Sequence, residues 1–435
     1  MKNKVKLISI LLSISIILSF PLLSFCHDSK NYFFENPYGI CITPGEDETM
    51  LNFSWYSKKD NDSKIKIFND FGEEKTYKGK SKKLDNNFVS NKVTVTNLKD
   101  NTTYYYSYKL NGVWSRPIEY KTKNSLEFSF AFMADPQIGA SSRTLNSVEE
   151  GIKKDVLSWN KVINKALQKE NNLSFIVCGG DETNTKEENQ KKISNQEYSG
   201  YLSPYYLQYT PIANVIGNHD KDNENFYNHF YMPNSSSLGK NIAGGDYYFK
   251  YGNTLFLFLN TNNLNINEHK QFIENTLKKN EDVKWKIALF HHDIYGDGIH
   301  SQEKDIKQLR NTLPKILEKN KIDLALCGHD HIYSRTYTLK NNKKTKEFII
   351  ERFDDFNEKV EIINNSKGIT YITGGSCTGS KFYKSTNNKS NYVKFKYDEE
   401  NPLYTIINVS KDKIIIKTYK VNSDEMIDSK IIINK

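Results

Sequence analysis

Between residues 126 and 134 the chain reads LEFSFAFMA, with Phe128, Phe130 and Phe132 on alternate positions. That alternation predicts a strand with one face turned to a core. Pro136 carries no N–H for a sheet ladder, so the strand ends at Asp135. Similar apolar runs recur as NLSFIVCGG, TPIANVIG, TLFLFLNT, VKWKIALF and IDLALCG. Helical periods lie between them. GIKKDVLSWNKVINKALQKE sets Ile152, Val156, Trp159, Ile163 and Leu167 on one face. SNQEYSGYLSPYYLQY reads as a broken helix, and NINEHKQFIENTLKKN and EKDIKQLRNTLPKILEKN read as whole ones. Alternating strand and helix from residue 126 onward predicts an α/β domain with a mostly parallel sheet core. The tail from GITYITGG to SKIIINK is strand-rich again.

Residues 35 to 123 follow a different rule. TMLNFSWYS and KVTVTNL alternate, and TTYYYSYKL joins VWSRPIEYKT through Asn111-Gly112, a hairpin turn. No helical period occurs here, so a small all-β sandwich of about seven strands is expected.

The N-terminus changes the picture of location. MKNKVK precedes the apolar run LISILLSISIILSFPLLSF, the layout of a secretory signal over residues 1 to 26. Cleavage after Cys26 would release a secreted or cell-surface protein with no stable membrane span; a retained anchor is the alternative, since the run is nearly long enough to cross a bilayer. The formal charge is +9, and Lys2, Lys4 and Lys6 belong to that segment. No basic block with interleaved aromatics occurs elsewhere, so nucleic-acid binding is not expected. Cys41, Cys178, Cys327 and Cys377 are too scattered for a disulfide scaffold, and Cys178 and Cys327 end apolar strands as small buried hydrophobes.

The chemistry sits at the carboxyl ends of the strands, where α/β sheets gather ligands. In order, these ends carry Asp135 with Gln137, then Asp181, then Asn218-His219-Asp220, then His291-His292-Asp293, then His329-Asp330-His331. Of the 9 histidines, five lie in these short segments, and a structural role alone would scatter them. Two cations about 3.5–4 Å apart need a carboxylate able to bridge them. Mixed Asp, Asn and His ligands suit Fe, Mn or Zn better than Ca or Mg. Glycines before Asp181, Asn218 and His329 allow the backbone to turn closely beside the ions. Asp220, Asp293 and Asp330 read as turn acids, Arg335 as the partner of a structural carboxylate, and Tyr247 and Tyr248 as hairpin packing. His27, His229 and His269 are expected at the surface.

The order D-x-Q, GGD, GNHD, HH and GHDH resembles the calcineurin-like metallophosphoesterases, and the branch it is most similar to is the purple acid phosphatases. VTNLKDNTTYYYSYKL resembles a fibronectin type III corner, in which a Leu and a Tyr lock a turn. The resemblance implies a four-layer α/β sandwich over residues 126 to 435, preceded by the fibronectin III-like β-sandwich. It implies Asp135 and His331 on a first metal, Asp181 bridging, and Asn218, His329 and one of His291 and His292 on a second. His291 is favoured, because an aromatic follows four residues on, at Tyr295. His219 would act as acid or phosphate clamp, with His292 and His300 on the phosphate side. The activity implied is hydrolysis of small phosphate monoesters, as in acid phosphatases, by a metal-bridging hydroxide. A phosphodiesterase, a nucleotidase, or a surface binding protein with a decayed site are the alternatives.

Two positions depart from the family pattern. Gln137 stands where one branch has a histidine, and Asn184 stands where purple enzymes have the tyrosine three residues after the bridging aspartate. Gln137 is the expected substitute ligand, through its amide oxygen.

Overall fold

The computed structural model describes residues 39–84, 87–145, 147–186, 190–345, 349–364, 367–386 and 390–435. The proposed signal segment and His27 lie outside them. Strands β1 (Phe128–Met133), β2 (Leu173–Cys178) and β3 (Ile212–Asn214) run parallel. The other side of β1 pairs antiparallel with Leu403–Val409, and Lys413–Lys420, Lys430–Asn434, Lys359–Asn364 and Ile349–Phe353 extend this sheet outward. In a second sheet β4 (Thr254–Leu259), β5 (Trp285–Phe290), β6 (Leu324–Cys327) and Thr370–Thr373 run parallel. Tyr247–Tyr251 closes one edge antiparallel, while Tyr333–Thr336 and Val393–Tyr397 close the other. Both sheets are therefore mixed, which corrects the expectation of a mostly parallel core. Parallel pairing persists where helices cross over, and the tail adds antiparallel strands through short turns.

The two sheets face each other. Phe130 stacks on Phe175 with ring centroids 5.4 Å apart, and Phe256 of the opposite sheet meets both edge-on. Alternation on β4 sends Leu255, Leu257 and Leu259 the other way, into a core shared with Phe272, Ile273, Leu309 and Leu313 of helices α2 (Ile266–Lys279) and α3 (Lys304–Lys319). Helix α1 (Val148–Lys169) buries Ile152, Val156, Trp159 and Ile163 and packs along Leu403–Val409 of the first sheet. The layers are α/β/β/α. Helix α1 starts three residues earlier than its apolar period suggests, because Ser147 caps it by accepting the N–H of Glu150.

Residues 41–121 form antiparallel sheets, with nine strands among the described residues where about seven were expected. Asn111 and Gly112 both take positive φ at the expected hairpin turn. The Tyr104 hydroxyl accepts the N–H of Lys99 at 2.9 Å, beside buried Leu98, which locks the corner.

This sandwich grips the segment that follows the GNHD loop. Ser54 and Ser90 donate their hydroxyls to the carbonyls of His229 and Asn228 at 2.6 and 2.7 Å, and Thr43 donates to that of Tyr231 at 2.8 Å. His229 is buried between the rings of Tyr56 and Tyr198, at 4.4 and 4.8 Å. His269 is buried too, with Nδ1 2.7 Å from Asp246 and Nε2 2.7 Å from the Asn263 carbonyl. Both rings correct the surface expectation, since aromatic sandwiching and a carboxylate partner come from residues distant in sequence.

Burial lowers the His229 ring from 6.5 to about 4. Below pH 6.5 the unfolded chain therefore takes up a proton that the folded chain refuses until about pH 4, and stability falls as pH falls through that window. Urea unfolding at about pH 7 and about pH 4.5 should show about 2 kcal/mol of acid-induced loss that a His229→Phe variant lacks. Equal acid sensitivity in the two proteins would refute the assignment.

Candidate metal centre

The strand ends converge on one cluster. Asp135, Gln137 and His291 are 0% exposed and Asp181 is 2% exposed, so bulk water does not solvate this polarity. Asp135, Gln137, Asp181, His329 and His331 all take positive φ, at 50°, 39°, 54°, 81° and 54°. Non-glycine residues in that region cost about 1–3 kcal/mol each, and such strain gathers at functional sites. Glycines relieve crowding around them. A Cβ on Gly217 would lie 2.2 Å from Asp181 Oδ1, and one on Gly180 would lie 2.6 Å from His291 Nδ1.

Two sets of donors face inward. In one set, His291 Nε2 lies 3.0 Å from Asn218 Oδ1 and 3.3 Å from Asp181 Oδ1. His329 Nδ1 lies 3.0 Å from the same Asn218 oxygen and 3.2 Å from His291 Nε2. The Gly179 carbonyl, 2.9 Å from His291 Nδ1, can only accept, so Nδ1 carries the proton and Nε2 of the neutral ring presents a lone pair. Donor atoms meeting this closely need a proton or a cation between them.

The other set repeats the device. The Lys381 carbonyl, 2.8 Å from His331 Nδ1, turns His331 Nε2 toward Asp135 Oδ1 at 3.8 Å. Gln137 donates Nε2 to Asp181 Oδ2 at 3.1 Å, which leaves its Oε1 buried without a partner. Asp135, Asp181 and His291 offer ligand atoms within 4.8 Å of one another. The residues present therefore fit a dinuclear metal centre, with Asp181 placed between the two donor sets.

The electrostatics agree with a site built around positive charge. Burial pushes the Asp135 carboxyl up to about 8, against the pull of His291. Burial also works to raise Asp181, but the charges of His291 and His219 outweigh it and hold Asp181 well below the usual range. Burial works to lower His291, and Asp181 overrides it to bring the ring to about 9, so without a cation Nε2 holds a proton where a metal would otherwise take the lone pair.

His219 sits at the rim, its Nδ1 held by the Asn184 carbonyl and its Nε2 3.8 Å from Asp181 Oδ2. His292 has Nδ1 2.8 Å from the Thr261 hydroxyl and its ring centroid 4.9 Å from that of His329. The His300 ring lies 4.5 Å from that of His329, and its Nδ1 meets Glu303 at 2.6 Å. Asp220 fastens the loop: its carboxylate accepts the N–H of Asp181 and of Gly217 at 3.0 Å and the Tyr198 hydroxyl at 2.8 Å. Asp330 accepts the N–H of Gly298 at 2.9 Å, and Asp293 that of Tyr295 at 3.2 Å. Tyr295 and Tyr333 spend their hydroxyls on Asn342 and Asp428.

Sequence reasoning missed three groups. Glu182 is fully buried beside Asp220, and burial and that neighbouring charge push its carboxyl well up, so it holds a proton. The Tyr383 ring lies 4.9 Å from that of His331 and 5.0 Å from that of His300, and Lys381 Nζ lies 4.4 Å from the Tyr383 centroid. Nothing in SKFYK distinguishes the last two from an ordinary polar loop. GGDETN places Glu182 next to a ligand, and that adjacency was the available signal.

A double α/β sandwich with a bridging carboxylate between two His-bearing clusters defines a metallophosphoesterase-type site. Residues 128–333 match the Calcineurin-like phosphoesterase model, and residues 37–122 match the Purple acid Phosphatase, N-terminal domain model. The chain carries a calcineurin-like phosphoesterase domain behind a purple acid phosphatase N-terminal domain. It is 43% identical to purple acid phosphatase 4 of Arabidopsis thaliana over 53 residues, 12% of this chain and 15% of that protein. It is 30% identical to the probable purple acid phosphatase 20 of the same plant over 82 residues, 18% of this chain and 19% of that protein. These matches span less than a fifth of either relative. Among solved structures, a purple acid phosphatase, PPD1, from yellow lupin (Lupinus luteus) seeds superposes with TM-score 0.67 at 14% identity, over 92% of this chain and 75% of that one. A structure of PhoD superposes with TM-score 0.58 at 13% identity, over 91% of this chain and 93% of that one. Both likenesses concern the fold. No helix among the described residues is long and apolar enough to cross a membrane.

Proposed function

We propose that the chain is a secreted, dinuclear-metal phosphoester hydrolase acting on small phosphate monoesters. The observation that carries this reading is Asp181, whose two oxygens face two separate donor sets. Asp135, Gln137, Asp181 and His331 would hold one cation; Asp181, Asn218, His291 and His329 would hold the other. Iron, manganese and zinc suit these ligands. When bound, the pair would supply Lewis acidity toward phosphoryl oxygens and toward a nucleophilic water.

The side chains do the rest. The Gly179 and Lys381 carbonyls fix the tautomers of His291 and His331 before any ligand arrives. Burial lowers His219 to about 4, so its ring is neutral in the free protein. A phosphate dianion beside Nε2 favours the protonated ring, which can then donate Nε2–H to the departing oxygen. His292 and His300 flank the same space and are suited to bind phosphate oxygens.

The test is reconstitution of the purified protein with Mn, Fe or Zn in turn, then assay of aryl phosphate, bis-aryl phosphate and nucleotide substrates. Two bound metals and preferred monoester turnover are expected. A metal-loaded protein that turns over none of these would refute the reading, and a diester preference would replace monoester with diester.

A prediction about colour follows from Asn184. A phenolate donates charge into ferric iron at visible wavelengths, and a carboxamide does not. The two tyrosines close in sequence to ligands are occupied elsewhere, and burial raises the Tyr383 hydroxyl to about 12, which disfavours a phenolate. The iron-loaded protein should therefore lack a purple absorption band. A band that vanishes in Tyr383→Phe would show that tyrosine to be a ligand after all.

A further inference from the structure

The carboxyl end of β4 contributes no candidate metal ligand, unlike those of β1, β2, β3, β5 and β6. The turn that follows it, residues 260–263, instead touches two of the segments that carry the site. The Thr261 hydroxyl lies 2.8 Å from His292 Nδ1. Asn262 donates Nδ2 to the carbonyls of Ile216 and Gly217 at 2.9 and 3.2 Å, immediately before Asn218. The turn is itself held from behind. Asp246, 0% exposed, accepts the Asn260 N–H on Oδ1 at 2.8 Å and faces His269 Nδ1 through Oδ2 at 2.7 Å. His269, on α2, sets Nε2 2.7 Å from the Asn263 carbonyl, and Asn260 donates Nδ2 to the Gly244 carbonyl at 3.0 Å.

The protons follow from these contacts. A carbonyl only accepts, so His269 Nε2 carries a hydrogen, and one further proton lies between Nδ1 and Asp246 Oδ2. Burial works to lower the His269 ring, and Asp246 outweighs it and raises the ring above its ordinary value. Both ring nitrogens and both carboxylate oxygens are thus engaged. Displacing the turn would strand these polar groups away from water, so the pair resists displacement. The contact to His292 has a chemical consequence. A neutral imidazole has a single N–H, and it can donate Nε2–H to a phosphate oxygen only when Nδ1 is bare. That is the form able to accept the Thr261 hydroxyl hydrogen.

We propose that the buried His269–Asp246 pair is a clamp whose purpose is the turn at residues 260–263, and that through this turn it holds His292 in the tautomer that donates Nε2–H to phosphate and steadies the backbone leading into Asn218. His269, Asp246, Thr261 and Asn262 are positioning residues, since each acts through another side chain or a carbonyl. The inference rests on the phosphoesterase reading for the phosphate role of His292. The clamp and the tautomer it selects belong to the folded chain without any ligand.

The experiment reads the His292 ring by nitrogen-15 NMR on histidine-labelled, metal-free protein, its signals identified by their absence in His292→Asn. Inorganic phosphate binding to the zinc-loaded protein is measured beside it. The parent should show His292 in one tautomer, with Nδ1 bare. Thr261→Val, nearly the same shape without the hydroxyl, should give a mixture of tautomers and weaken phosphate by about 3- to 10-fold. Asp246→Leu should do the same from a distance. Asp246→Asn should restore both readouts, because its amide oxygen still accepts the Asn260 N–H and its NH2 donates to a neutral His269 Nδ1. The two losses in phosphate affinity should be less than additive in Thr261→Val/Asp246→Leu, whereas a role in stability alone would add. If Asp246→Leu does not fold, His269→Gln replaces it, keeping a donor for the Asn263 carbonyl and withdrawing the one to Asp246. A parent His292 with Nδ1 protonated, unchanged His292 signals in the clamp variant, additive losses, or no rescue by Asp246→Asn would each overturn the clamp. A parent that neither binds phosphate nor hydrolyses a phosphoester would end the phosphoesterase reading, and the His292 signals would still decide the clamp.

Discussion

Asp181→Asn should remove phosphoester hydrolysis by about 10³-fold or more, which is about 4 kcal/mol of barrier, and should lower metal content from two ions toward one or none. The substitution changes almost no volume. It removes the one negative charge that both donor sets share. The amide also turns a donor toward Gln137 Nε2, itself a donor now 3.1 Å from Asp181 Oδ2. The His219 N–H, 2.9 Å from Oδ1, can still find the amide oxygen, so the loop need not unfold. The checks are elemental analysis and steady-state kinetics on the same sample, with circular dichroism to confirm the fold. Two retained metals with most of the activity would remove Asp181 from its central role.

Arg335→Met should cost about 3–5 kcal/mol of stability, the scale on which breaking a buried ion pair acts. Arg335 lies on Tyr333–Thr336 of the second sheet and is 2% exposed. Its Nε and Nη2 reach Asp428 at 2.6 and 2.9 Å, and Nη1 and Nη2 reach Glu361 on the first sheet at 3.1 and 3.2 Å. Methionine fills most of the volume but leaves Asp428 with the Tyr333 hydroxyl at 3.0 Å and the Ser429 N–H at 2.7 Å and no cation, and Glu361 with Lys394 at 2.8 Å. Against the roughly 5–15 kcal/mol that holds a domain together, that loss is large. Urea unfolding at neutral pH measures it. A second substitution, Asp428→Asn, should recover part of the loss by removing the stranded charge. A change below about 1 kcal/mol in the single variant would mean that the two sheets do not depend on this clamp.

Much of the fold was legible because its signals are local. Alternating apolar residues at 128–132 and the helical period of 152–163 each need only their own segment to form. The antiparallel tail was less legible, since whether Leu403–Val409 joins β1 depends on a partner some 270 residues away, and alternation cannot name it. The Ile349–Phe353 and Lys359–Asn364 hairpin went unnoticed although its pairing is local, because IIERF and KVEIIN mix charged residues into their apolar runs. His229 and His269 were misjudged because a lone histidine in a polar stretch carries no mark of the rings or the carboxylate that will enclose it.

The sequence by itself determined which residue types stand at the ends of five strands, and with them the polarity and donor chemistry of the site, because a strand's end and its ligand are neighbours in the chain. Only the tertiary structure decided which atoms of those residues face inward. The carbonyls of Gly179 and Lys381, 112 and 50 residues from the rings they orient, choose the tautomers of His291 and His331. The same long-range packing brings Lys381 and Tyr383 beside the ligands. Donor chemistry is a property of a residue, but the direction of a lone pair and the sum of surrounding charges belong to the folded arrangement, and no local pattern encodes them.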